Sequence, residues 1–128
     1  MRTFALICFL AASASSTAAS SQTLDGQDDE FLISNLGIAT TSVKCPRYIL
    51  NHQVVDEIWR ELRRRKANVN SGRLEQAYRE AYTASESRVK EGDLEGYCTD
   101  MLLDYGPNGR VLPNLVVDRR KFDPKFNQ

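Results

Sequence analysis

One histidine, one tryptophan, two methionines and three cysteines leave little material for metal or redox chemistry. The cysteines show no Cys-x-x-Cys spacing, so no redox pair is encoded. Cys45 and Cys98, the two cysteines outside the N-terminal apolar run, together with His52 fall short of the four ligands of a tetrahedral zinc site. No Gly-rich phosphate loop occurs, and Gly106-x-x-Gly109 reads as a turn. Strong charge of either sign is also missing. The 17 basic and 17 acidic side chains cancel, which removes the positive field that nucleic-acid binding needs. No cofactor and no nucleic-acid partner is expected.

Catalytic pairings are absent too. His52 lies beside an apolar helix face, three residues before Val55, with no serine or cysteine nucleophile to join it. Asp56 and Glu57, Glu91 and Asp93, and Asp93 and Glu95 are neighbours on a helix surface. A two-carboxylate hydrolase sets its acids across a cleft. The sequence is therefore read as that of a protein that is not an enzyme.

Long apolar runs are lacking as well. Phe4 to Ala12 is the best one, far short of the ~20 residues that span a bilayer. It follows a short basic start, Met1-Arg2-Thr3, and precedes the small-residue tract Ser13 to Ser21. That order is the pattern of a secretory signal peptide. Residues 1–19 are assigned to it, and cleavage fits after Ala14, Ala18 or Ala19. The mature chain, with no transmembrane segment, is expected in a periplasm or outside the cell.

Export gives the cysteines their meaning. Cys8 leaves with the signal segment, and Cys45 and Cys98 remain. A pair in an exported chain reads as a disulfide. The two are 53 positions apart, and a loop of that length is worth up to about 4 kcal/mol in the chain-entropy model.

What is present is helical periodicity. Residues 20–30 form an acidic arm, either flexible or placing negative charge at the start of a short helix. Residues 31–117 form one helical domain. Phe31, Leu32 and Leu36 predict one or two helical turns closed by Gly37. Ile38 to Val43, rich in threonine and branched side chains, predicts extended structure. The main helix is expected from Cys45-Pro46 to Lys66, burying Tyr48, Val55, Ile58, Trp59 and Leu62, with Trp59 as a core anchor. A second runs from Ser71 to Glu91 on the face Leu74, Ala77, Tyr78, Ala81 and Tyr82, small enough for close approach to a neighbour. Asp93 caps a third, which turns Leu94, Tyr97, Cys98, Met101, Leu102 and Tyr105 inward. Gly106-Pro107-Asn108-Gly109 stops it. Val111 to Val117 contains Pro113 and is expected to run extended, pairing at an edge with Ile38 to Val43. Residues 118–128 are a basic tail. The fold class is mainly α: a small three-helix core with a short N-terminal helix, an extended C-terminal segment and one disulfide.

Arg60, Arg63 and Arg64 are the candidate partner-binding residues, on a helix end that can meet an acidic surface. The other reading of that end is a solvated face with internal ion pairs. The expected function is an exported interaction module that binds another envelope or secreted protein. The alternative is a disulfide-stapled periplasmic stress chaperone, which would expose apolar surface in acid.

Overall fold

The computed structural model describes residues 24–122, and of Phe122 only the backbone. The proposed signal peptide and the end of the basic tail lie outside them. The chain is mainly helical, with a two-stranded sheet and the Cys45–Cys98 disulfide. Its helices are α1 (Asp29–Thr40), α2 (His52–Arg64), α3 (Gly72–Lys90), α4 (Leu94–Tyr105) and the single turn α5 (Arg119–Phe122). Strands β1 (Tyr48–Leu50) and β2 (Val116–Asp118) pair antiparallel, Tyr48 opposite Asp118 and Leu50 opposite Val116.

The core is built on α1, which packs chiefly against α3. This corrects the sequence reading, in which α1 is one or two turns ending at Gly37. Leu32 and Ala39 are wholly buried, and Ile33, Leu36 and Gly37 nearly so. A helix covered on several sides shows no clean apolar stripe, so its periodicity is weak in the sequence. The N-terminus forms because Asp28 accepts the amide of Phe31 at 2.7 Å, while Asp29 and Glu30 sit in the first turn. The helical alternative for the acidic arm thus describes residues 28–30.

Ile38 to Val43 is helical and not extended. It completes α1 and forms a 3-10 turn at Thr41–Lys44. Burial of Ala39, Thr41 and Ser42 overrides the β-propensity of the segment. Its two threonine hydroxyls are absorbed locally, while the buried Ser42 hydroxyl finds no partner among the described residues. Thr40 donates to the Leu36 carbonyl at 2.7 Å, and Thr41 to that of Ile38 at 2.6 Å. Thr41 also meets the Tyr97 hydroxyl, and Ser85 at 2.9 Å, tying the end of α1 to α3 and α4. Nearer its start, Asn35 accepts from the Tyr105 hydroxyl at 2.5 Å. Burial pushes the phenols of Tyr97 and Tyr105 above the usual tyrosine range.

Gly37 lies where α1 crosses α3. A β-carbon there would stand 2.8 Å from the Tyr78 carbonyl oxygen, closer than such atoms approach. The crossing also uses the small side of α3, where Ala77 is buried. Gly37→Val is expected to destabilise the protein by about 1–3 kcal/mol through overpacking, although any side chain would favour the helix itself by up to ~1 kcal/mol. Urea titration checks it, and an unchanged midpoint would show that the helices are further apart than described.

The segment after Cys45 also differs from expectation. Pro46 does not open a helix. Tyr48–Leu50 forms β1, and α2 begins only at His52. Asn51 is the cap, accepting the Gln53 amide at 3.2 Å, while its own amide donates to the Leu115 carbonyl at 2.9 Å. The partner of β2 is therefore β1, with β2 at the end of the Val111–Val117 stretch. Leu112, Leu115 and Val116 are buried. Ile58 and Leu62 carry the α2 contact with the core, and Trp59 is half-buried at its margin. The α3 prediction holds: Ser71 caps the helix and Gly92, at φ +91°, follows its end. Asp93 stands before α4 but makes no side-chain cap bond. Its carboxylate pairs with Arg88 at 2.8 Å.

Candidate interaction surfaces

The arginine-rich end of α2 divides by function once folded. Arg64 is held by Glu61, with Nη2–Oε1 at 2.5 Å and Nε–Oε2 at 3.0 Å. Arg65 turns inward and clamps the chain before α1. It donates to the carbonyls of Gln27 and Leu24 at 2.5 and 2.7 Å, and pairs with Asp29 at 3.1 Å and Glu61 at 2.8 Å. This structural role was not read from the sequence, where Arg65 looks like its exposed neighbours. Its acidic partners are distant in sequence, so only the Glu61 spacing of four hinted at it. Arg60 and Arg63 are exposed and make no ion pair among the described residues. Of the three candidate residues, two are therefore available to a partner and Arg64 is already engaged.

Hydrogen bonds from Arg64, then Arg65, hold the Glu61 carboxyl well below its ordinary 4.5, at about 2. The charged form is favoured by folding, so these ion pairs contribute fully above about pH 4.5 and are lost as pH falls towards 2. Glu61→Gln is expected to flatten the acid dependence of stability between those values. The carboxyl's carbon-13 shift should titrate near 2. A midpoint above 4 would contradict the clamp.

A second surface, not foreseen from the sequence, lies between the end of α4 and the strand pair. It is an open groove of about 770 Å³, within the ~300–1,000 Å³ typical of binding clefts. Tyr97, Met101 and Tyr105 use the inner face of α4, which leaves Leu102 and Leu103 on the outer flank, 38% and 49% exposed. The sequence reading placed Leu94 and Leu102 inward, and both are open to solvent on this helix. Together with Tyr48, Pro107 and Val117, Leu102 and Leu103 form an apolar floor.

The far end of the groove is shaped by the turn after α4. Gly109 donates to the Gly106 carbonyl at 2.9 Å, and Asn114 returns to the same carbonyl at 2.8 Å. A β-carbon on Gly109 would fall 2.5 Å from the Asp104 carbonyl oxygen. Only glycine lets this turn lie flat against the helix end.

The rim is cationic. Arg47, Arg110 and Lys121 line the groove, with Asp118 as its only carboxylate among the described residues. Asp118 is already shared between Arg47 at 3.5 Å and Arg120 at 3.4 Å. Arg110 leans on Asp104, outside the lining, at 2.8 Å, and remains 67% exposed. Lys121 makes no ion pair among the described residues. The amides of Asn51, Asn108 and Asn114 complete the wall.

Among the described residues no group of three histidine, cysteine or carboxylate side chains is placed to hold a metal ion. His52 is exposed at the first turn of α2. No described helix is long and apolar enough to cross a membrane. Comparison with protein families, curated proteins and solved structures finds no match to this chain.

Proposed function

We propose that the protein is an exported interaction module that captures a segment of another envelope or secreted protein in the groove between α4 and the β1–β2 pair. One observation carries this reading. Leu102 and Leu103 are large apolar side chains left open to solvent on the floor of a concave, cation-rimmed surface. Contiguous exposed apolar surface rimmed by polar groups marks interaction sites. Export is supported by the signal-peptide pattern of residues 1–19 and by the disulfide, which suits an oxidising compartment.

Crosslinked capture of the tagged protein from its native envelope or medium at neutral pH tests the proposal. The expected result is a recurrent partner that is lost on Leu103→Asp and retained on Arg60→Glu with Arg63→Glu. Leu103 is half exposed, so the change tests the surface with little cost to the core. A partner lost only on the α2 changes would move the site to that helix. A broad set of clients appearing only after acid shock would replace the module by the stress chaperone.

A further inference from the structure

The groove's walls also specify the chemistry of what it holds. Resting on the reading of this surface as a capture site, we infer that its ligand is an extended peptide segment carrying apolar side chains flanked by carboxylates. Three cations from separate parts of the chain converge on the rim: Arg47 before β1, Arg110 after α4 and Lys121 in α5. The one lining carboxylate among the described residues, Asp118, is already taken up by arginines. Arg47 and Arg110 each share a carboxylate, Asp118 and Asp104, yet stay largely exposed, and Lys121 makes no ion pair among the described residues. The rim thus keeps an excess of positive charge that favours a bound acidic residue over a basic one.

The asparagines decide between a peptide and an acyl chain. Asn108 and Asn114 are exposed on the wall. Each side-chain amide both donates and accepts, matching the carbonyls and N–H groups of an extended backbone. A fatty-acid or phospholipid tail has no group to answer them and would cover polar atoms without replacing their water. Leu102 and Leu103 then receive the peptide's apolar side chains, and the rim fixes its flanks.

Fluorescence anisotropy on the disulfide-bonded mature protein tests this. The probes are a labelled nonapeptide with a central Leu-Phe pair and two glutamates on either side, and its glutamine and lysine counterparts. Vesicles of phosphatidylglycerol and a sixteen-carbon carboxylate serve as lipid competitors. The expected order is glutamate over glutamine by about fivefold to tenfold, the scale of three exposed ion pairs, with lysine weakest. The advantage should shrink in 0.5 M salt and in Lys121→Gln, an exposed position whose change leaves the fold intact. Arg47→Gln with Arg110→Gln should remove the rest, provided circular dichroism shows native helix content.

Equal binding of the glutamate and glutamine peptides, abolished by Leu103→Asp, would overturn the charge inference and leave the capture site standing. Displacement by the carboxylate or vesicles at lower concentration than by unlabelled peptide would overturn the peptide assignment in favour of a lipid. Binding of no peptide, together with loss of cellular capture on the α2 changes alone, would overturn the groove as the site.

Discussion

Leu32→Ala should lower the stability of the protein by about 2–5 kcal/mol, the range for removing a large aliphatic side chain from a core. Leu32 is 0% exposed in the helix around which the domain is built. Its neighbours cannot close the space readily. Gly37 already holds α1 against the backbone of α3 at its closest tolerated approach. The hydrogen bonds at Asn35 and Thr41 fix the rotation of α1 relative to α4. The cavity term should therefore add to the lost transfer energy, placing the result in the upper part of that range. Urea or thermal unfolding measures it, and a loss under about 1 kcal/mol would mean that α1 is peripheral.

Cys98→Ser should cost about 2–5 kcal/mol under oxidising conditions. The bond joins residues 53 apart, with Cα atoms 5.8 Å from each other. Cys45 is 1% exposed, at the end of the 3-10 turn that follows α1. Cys98 is on α4, so the disulfide pins the lead into β1 to the helix that forms one wall of the groove. Its loss should act first on the unfolded chain, by restoring the freedom of a long loop. Wild type and Cys98→Ser should have the same stability in excess reductant. A variant as stable as oxidised wild type would show that the bond is dispensable.

The sequence was most legible where periodicity and caps agree. Ser71 and Gly92 bracket α3, its alanine and tyrosine face does meet a neighbouring helix closely, and the Gly106–Gly109 turn stands where its residues place it. The disulfide followed from counting cysteines in a chain with an export pattern. The errors share a physical cause. Tyr48 and Ile49 fit the apolar spacing of the following helix, yet β2 offered them a ladder and Asn51 offered the helix a later cap. Ile38, Thr40 and Thr41 favour strands in isolation, yet packing draws them into helix or 3-10 turn, with Thr41 wholly buried and Ile38 partly so. Both outcomes depend on contacts with residues tens of positions away, which local patterns do not record.

The candidate surfaces divide in the same way. A run of basic residues is visible in the sequence, but which of them stay free depends on where Asp29 and the Gln27 carbonyl lie in the fold. The groove had no sequence signal of its own. Arg47, Arg110 and Lys121 are isolated in the chain and become a rim only when β1 pairs with β2 beside the end of α4. Leu102 looked like a core residue because helical spacing gives a face only to within about a quarter turn.

The most direct test of the groove as the working surface is site-specific photocrosslinking in the native envelope or medium. A benzophenone side chain is placed in turn at Leu103, on the groove floor, and at Arg63, on the exposed face of α2. The expected result is one discrete adduct from position 103, competed by the glutamate-flanked peptide, and none from position 63. An adduct from position 63 with none from 103 would contradict the account and return the function to the arginine end of α2.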